Sequence, residues 1–178
     1  TTTYEKLVSA LENADNADDT AGRMEPLFKD DKEYEEFVHR HSSFNVPSTN
    51  IETYTGNAYL GIDCGSTTTK MVLLDENDGI LYSYYSSNKG NPLDVIKKCL
   101  LQIYDLCGDR IKIKSSAVTG YGEELTCHAF GIDSGIVETM AHFYAARHFN
   151  PQVDFILDIG GQDIKCFKIR NNAVDSIM

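Results

Sequence analysis

Two short segments of the sequence combine the residue types that bind phosphate groups and divalent cations. The first begins at Asp63, after an apolar run, and reads Asp-Cys-Gly-Ser-Thr-Thr-Thr-Lys. Gly65 allows the backbone to approach a phosphate closely, and Ser66 and Thr67 offer hydroxyls and backbone N–H groups. Asp63 supplies carboxylate oxygens of the kind that Mg2+ prefers, and Lys70 either neutralises phosphate charge or points to solvent. We interpret this turn as a candidate phosphate site in which Asp63 is a catalytic and Mg2+-binding residue.

The second segment begins at Asp158, again after an apolar run, and reads Asp-Ile-Gly-Gly-Gln-Asp-Ile-Lys. Gly160, Gly161 and Gln162 are candidate phosphate contacts, and Asp158 is a second candidate for catalysis and Mg2+ binding. A bulged hairpin without any ligand also fits the pair of glycines. The pattern of this segment alone leaves both interpretations open.

The two segments repeat one pattern at a spacing of 95 residues. Asp63 corresponds to Asp158 and Lys70 corresponds to Lys165, and predicted strands flank both turns. This repetition indicates a duplicated β-hairpin unit. Two such units facing each other would place backbone amides on the phosphate oxygens of one polyphosphate, and two carboxylates on Mg2+ and on a positioned water.

A third segment, Thr-Gly-Tyr-Gly, begins at Thr119 at the end of a predicted strand. We expect its Gly120 to line a nucleotide cleft, although a plain strand-to-helix connection has the same composition. Glu138, His142 and His148 fall on one predicted helix, and we interpret all three as structural or solvated residues.

The apolar periodicity predicts an α/β fold, in which a mixed sheet carries helices on its faces. The predicted strands cover residues 59–64, 69–75, 80–86, 111–119 and 153–159, and the last of these is expected to be buried. The predicted helices cover residues 3–13, residues from Asp30 or Asp31 to about His41, residues from Asn91-Pro92 to Cys107, a short stretch ending near Phe130, and residues 135–149. The apolar stripe of the Asn91-capped helix is predicted to be Leu93, Ile96, Leu100, Ile103 and Cys107.

Residues 1–58 differ in composition from the rest of the chain, because they contain 12 acidic and 5 basic residues. We interpret them as an acidic linker with short helices, residues 59–150 as a first lobe, and residues 151–178 as the start of a second lobe. The chain begins without methionine and ends within a predicted strand, so we expect a piece of a longer polypeptide.

The composition argues against several classes of partner. The net charge of −11 disfavours nucleic acid and anionic membranes, and no apolar run is long enough to span a bilayer. The five cysteines form no Cys-x-x-Cys pair, which indicates reduced thiols in a cytoplasmic protein and no metal site built from cysteines alone.

The three segments together resemble known nucleotide-binding proteins. The Asp63 and Asp158 turns are similar to the two phosphate motifs of actin, the Hsp70 chaperones, hexokinase and the sugar kinases. With the Thr119 segment in between, the order resembles the BadF/BadG/BcrA/BcrD-type ATPases, the activators of 2-hydroxyacyl-CoA dehydratases and benzoyl-CoA reductases. This resemblance covers residues 59–178 well and implies a ribonuclease H-like mixed sheet of the actin/Hsp70/hexokinase type.

The resemblance also implies an activity and partners. Such activators use ATP with Mg2+ to drive a low-potential electron to a dehydratase or reductase component, and they hold a [4Fe-4S] cluster between the subunits of a homodimer. In the family the cluster cysteines follow the second phosphate unit, so the resemblance places the cluster ligands outside this chain.

Two other functions remain open at this point. A small-molecule kinase of the same superfamily would phosphorylate a hydroxyl group, and a non-catalytic interaction module would keep the fold without the chemistry.

Overall fold

The computed structural model describes residues 2–14, 24–160 and 164–178. The chain divides into two compact units, one ending at Asn45 and one running from Val46 to Met178. Within the described ranges, no helix is both long enough and apolar enough to cross a membrane.

The first unit contains two helices, α1 (Tyr4–Ala14) and α2 (Asp31–Ser42). The Asp30 side chain caps α2 by accepting a hydrogen bond of 2.9 Å from the Glu33 N–H. Both helices were predicted from the sequence, and both are confirmed. No residue of α2 is buried, which agrees with its largely charged sequence.

The second unit is built on a five-stranded mixed sheet of order β3-β2-β1-β4-β5. Its strands are β1 (Gly56–Cys64), β2 (Thr68–Leu74), β3 (Ile80–Ser87), β4 (Ile111–Thr119) and β5 (Ser134–Gly135). The β1–β2 and β2–β3 pairs are antiparallel, whereas β4 runs parallel to β1 and to β5. The predicted mixed sheet is therefore confirmed, and the two-residue β5 is an addition too short to carry a sequence signal.

Three helices accompany this sheet: α3 (Pro92–Cys107), α4 (Glu123–Phe130) and α5 (Glu138–Phe149). Asn91 caps α3, and Gly108 ends it, as the sequence predicts. The face of α3 that packs on the sheet is Ile96, Cys99, Ile103 and Cys107. Leu93 and Leu100 of the predicted stripe are only half-buried, whereas Cys99, which was not predicted, is buried.

The last three strands form a separate antiparallel sheet of order β6-β7-β8, with β6 (Phe155–Ile159), β7 (Ile164–Arg170) and β8 (Ala173–Ile177). One face packs on α5, where Phe143 meets Phe167 and Ile169. The opposite face leaves Phe155 and Leu157 about half exposed. No residue of β6 is buried, so the prediction that strand 153–159 is buried is wrong: α5 covers one face only in part and leaves the other exposed.

Residues 46–58, interpreted from the sequence as part of the linker, lie in the same compact unit as the sheets. Ser48 forms a parallel bridge with Ile80, and the Thr49 hydroxyl donates a hydrogen bond to the Asp75 carboxylate. The Arg110 guanidinium donates to the carbonyl oxygen of Tyr54 at 2.8 Å. These contacts attach the segment to the end of the first sheet opposite the Asp63 turn.

Candidate functional site

The first candidate phosphate turn closes the hairpin between β1 and β2. Asp63 and Lys70 are directly opposite in the strand register, and the Asp63 Oδ2 atom lies 2.7 Å from the Lys70 Nζ atom. The ammonium group also lies 5.9 Å from the centre of the Tyr85 ring. Lys70 is 44% exposed and contacts the aspartate, so a positive charge is held beside the turn, and its role in neutralising phosphate charge stays a prediction.

The tip of the turn is fixed by hydrogen bonds to its backbone. The Gly65 N–H donates to the Thr68 carbonyl at 3.0 Å. The buried Asn88 donates from its side chain to the Gly65 carbonyl and from its backbone N–H to the Thr67 carbonyl, both at 2.9 Å. The side chains of Ser66 and Thr67 lie at the exposed tip. Asn88 thus holds the loop in shape while the loop's hydroxyl residues face outward.

The Thr119 segment packs directly against this turn. The Gly122 N–H donates to the Cys64 carbonyl at 2.9 Å. Gly120 has φ +91°, and a Cβ atom there would lie 2.7 Å from Asp63 Oδ1 and 2.8 Å from the Cys64 carbonyl oxygen. Only glycine fits this close approach. The structure therefore brings Asp63, Lys70, Gly65 and Gly120 together at one end of β1.

The second candidate turn follows β6. Asp158 and Lys165 are opposite each other in the β6–β7 register, as Asp63 and Lys70 are in β1–β2. The Asp158 Oδ1 atom lies 3.4 Å from His142 Nδ1, and the Lys165 Nζ atom lies 3.4 Å from Glu138 Oε2. Both partners come from α5, so the helix and the second hairpin form one polar cluster.

The structure describes only one of the three phosphate contacts that were predicted for this second turn. Gly160 is exposed at the end of β6. Gly161 and Gln162 lie outside the described residues. Their role in phosphate binding stays a prediction.

Sequence reasoning missed two residues that shape these turns. His142 was interpreted as structural or solvated, yet it contacts the candidate catalytic residue Asp158. The available signal was the spacing of Glu138 and His142, because residues four apart lie on the same face of a helix. Asn88 carried no signal, since its contact depends on how the end of β3 meets the β1–β2 turn.

The polar groups of the two turns fit Mg2+ brought by a nucleotide. Carboxylates such as those of Asp63 and Asp158 are hard oxygen donors, and Mg2+ commonly takes one or two of them together with phosphates and water. Their side chains are 26% and 17% exposed, so both are accessible to a ligand. These two residues would hold the ion, which would neutralise phosphate charge.

The described residues do not fit an iron–sulfur cluster. Within them, no group of three or more His, Cys, Asp or Glu side chains could hold a metal ion. All five cysteines are free thiols, and burial raises the pKa of both Cys99 and Cys107, which disfavours the thiolate form that a cluster requires. A cluster therefore has no place among these residues.

Two other carboxylates have shifted pKa values and serve the fold. A hydrogen bond from Thr49, followed by bonds from the backbone of Gly79 and Asn77, holds the pKa of Asp75 below its usual value against the effect of burial. Hydrogen bonds from the side chain and backbone of Ser116 lower the pKa of Asp133 in the same way. Both groups are therefore charged at neutral pH and tie loops to the sheet.

Comparison with known proteins identifies a family and several relatives. The sequence profile of the BadF/BadG/BcrA/BcrD ATPase family matches residues 60–178. An uncharacterized protein of Methanocaldococcus jannaschii is 36% identical over 121 residues, which are 67% of this chain and 47% of that protein. The 2-hydroxyisocaproyl-CoA dehydratase activator of Clostridioides difficile is 34% identical over 126 residues, which are 64% of this chain and 42% of the activator.

A solved structure supports the same assignment. The activator of the 2-hydroxyisocaproyl-CoA dehydratase from Clostridium difficile with bound ADPNP matches with a TM-score of 0.54 and 29% identity, covering 68% of this chain and 44% of the activator chain. The predicted fold class is confirmed by this likeness and by the five-stranded mixed sheet. The chain spans less than half the length of the relatives it matches. On the evidence of the profile match and these relatives, the chain belongs to the BadF/BadG/BcrA/BcrD ATPase family.

Proposed function

We propose that this chain is the phosphate-binding part of an ATP-hydrolysing activator. It binds ATP or ADP with Mg2+ at its two turns. The hydrolysis drives a low-potential electron to a partner of the 2-hydroxyacyl-CoA dehydratase or benzoyl-CoA reductase type. The observation that carries the proposal is the Asp63–Lys70 pair at 2.7 Å, because the same two residue types recur in the same register at Asp158 and Lys165.

Each part of the first turn has a proposed task. Asp63 binds Mg2+ and, with Asp158, orients the attacking water. Beside Gly65, whose own N–H is bonded to the Thr68 carbonyl, the backbone N–H groups of Ser66 and Thr67 hold phosphate oxygens, and Lys70 offsets the charge of the phosphate chain. The tight contact of Gly120 with Asp63 keeps the carboxylate in place.

The remaining features belong to the whole protein. We infer a cytoplasmic homodimer that docks on a dehydratase or reductase component. Its [4Fe-4S] cluster would be held by residues outside this chain. The relatives named as dehydratase activators support the partner class.

The test is ATP hydrolysis by the full-length protein, measured without oxygen and with Mg2+, alone and with a dehydratase component. Asp63→Ala and Asp158→Ala should each lower turnover by about 100-fold, the effect typical of removing a group that stabilises transition-state charge. Asp105→Ala is a matched control, because this exposed carboxylate lies on α3 away from both turns.

Three results would contradict the proposal. Unchanged turnover in both aspartate variants would favour a non-catalytic module. Turnover that depends on a sugar or an acyl acceptor would favour a kinase. A full-length protein that binds neither Mg·ATP nor a cluster would rule out the activator.

A further inference from the structure

Helix α5 contacts both charged residues of the second turn through residues one helical turn apart. The His142 Nδ1 atom lies 3.4 Å from Asp158 Oδ1, and the Glu138 Oε2 atom lies 3.4 Å from Lys165 Nζ. Side chains four residues apart share one helix face, and Asp158 and Lys165 are neighbours across two strands. The spacing on the helix therefore matches the spacing across the hairpin.

The corresponding residues of the first turn are arranged differently. Asp63 and Lys70 contact each other at 2.7 Å. In the second turn the aspartate lies against an imidazole and the lysine lies against a carboxylate, both supplied by α5. The two copies thus hold the same pair of functional groups in two electrostatic settings.

We propose that His142 is a positioning residue for Asp158, assisted by the Glu138–Lys165 pair. This inference rests on the proposed function, because it assigns how one of the two candidate Mg2+ carboxylates is oriented. The imidazole Nδ1 atom faces Oδ1 of Asp158 at 3.4 Å, and this contact on one side of the carboxylate leaves Oδ2 for the ion. Partners of this kind orient the carboxylates that bind metals and water.

The packing beneath the polar cluster supports this role. Phe143, next to His142, is 2% exposed and packs against Phe167 and Ile169 of β7, which are 0% and 7% exposed. The helix is therefore seated on the same sheet face that carries Asp158 and Lys165. This packing fixes the helix backbone that carries His142, so the side chain, itself 39% exposed, starts from a fixed place beside the carboxylate.

The kinetic test compares His142→Ala, His142→Gln and His148→Ala in the full-length protein. His142→Ala should lower kcat for ATP hydrolysis about tenfold while KM for ATP changes less than twofold, because outer-sphere partners typically contribute this much. His142→Gln should recover most of kcat, since a polar amide can make the same contact with the Asp158 carboxylate. His148→Ala, a histidine on the same helix with its ring 3.9 Å from Asp78, should behave as wild type.

The structural test does not use ATP. The NMR signals of the His142 ring should shift in Asp158→Asn and stay in place in Asp105→Asn. An unchanged His142 signal in Asp158→Asn would overturn the contact even in a protein that hydrolyses ATP.

The remaining outcomes distinguish a failure of the positioning role of His142 from a failure of the proposed function. If kcat is unchanged in His142→Ala, or falls equally in the alanine and glutamine variants with a lowered Tm, the positioning role is wrong and the proposed function stands. If wild-type protein neither binds nor hydrolyses ATP, the proposed function fails and the positioning role fails with it, whatever the NMR contact shows.

Discussion

The two copies of the hairpin unit have similar apolar patterns and different surroundings. In β1, Leu60 and Ile62 are each 4% exposed, because α3 covers that face of the sheet. Their counterparts in β6, Phe155 and Leu157, are 48% and 57% exposed. The comparison teaches that a strand's sequence indicates which faces are apolar, whereas burial depends on an element elsewhere in the chain.

The opposite faces of the two copies, which carry the aspartates, share one neighbour. Helix α5 packs on this face of the second copy through Phe143. On the first copy, α5 residues line a cavity of about 590 Å3 with residues of β2 and β3; the lining includes Val72, Leu74, Ile80, Ala145 and Phe149. The helix therefore borders the aspartate-bearing face of both hairpins, beside the phosphate turn in the second copy and at the opposite end of the strands in the first.

The largest expected effect is a difference in stability between Ile62, which is buried in the first copy, and its exposed counterpart Leu157 in the second copy. In the 178-residue chain, Ile62→Ala should lower the free energy of unfolding by about 3 kcal/mol, because it leaves a cavity under α3. Leu157→Ala should change it by less than about 1 kcal/mol, as for other exposed positions. Urea unfolding measures both values. If Leu157→Ala lowers the free energy of unfolding as much as Ile62→Ala does, the outer face of the second sheet is covered in solution.

The second effect is the loss of stability expected when Gly120, which packs against the first turn, is replaced. Gly120→Ala should destabilise the chain by about 2–3 kcal/mol, because φ is +91° and the new Cβ would meet Asp63 and the Cys64 backbone. Gly131→Ala is the matched control: its φ is +64°, but no atom lies within 4 Å of the added Cβ. Gly131→Ala should lower the free energy of unfolding by about 1 kcal/mol, because it introduces backbone strain alone.

Equal losses in the two glycine variants, measured by thermal unfolding, would contradict the close packing of the Thr119 segment on the first turn. A larger loss in Gly120→Ala would show that this packing stabilises the first copy.

The elements that were predicted well are specified by residues within or next to them in the sequence. The Asn91 cap, Pro92 and Gly108 mark both ends of α3 within the helix itself. Asp63 and Gly65 were recognised as site candidates from residue type and spacing, and the structure places them at one turn.

The elements that were predicted poorly depend on distant parts of the chain. β6 begins with three consecutive apolar residues, Phe155 to Leu157, a pattern typical of a strand covered on both faces, yet its outer face is exposed. His142 becomes part of the candidate site only because α5 packs on β7, a contact that no local pattern specifies.

The third effect concerns the turns between the second and third strand of each copy. Asp75 is buried in the first copy, and its counterpart Arg170 is exposed and lies 3.7 Å from Asp175. Because hydrogen bonds lower the pKa of Asp75, its contribution to stability is present above the pKa of an unfolded aspartate, about 4, and is lost as the pH falls through the lower folded value.

Chemical unfolding between pH 7 and pH 3 measures this difference. The wild-type chain should lose stability as the pH falls, and Asp75→Asn should be less stable at pH 7 with a flatter pH dependence. Arg170→Ala should leave the shape of the pH profile unchanged. If Asp75→Asn keeps the wild-type slope, the acid sensitivity does not originate in the first copy.

The most direct test of the central claim, that both turns bind one nucleotide with Mg2+, is calorimetric titration of ADPNP into the full-length protein with Mg2+ and with EDTA. We expect wild type to bind more tightly with Mg2+, and Asp63→Ala or Asp158→Ala alone to remove at least about 1.4 kcal/mol of that gain, a tenfold change in affinity. The double variant should lose little more than either single one, because the two carboxylates act on one ion. A full Mg2+ gain retained in both single variants would contradict the claim.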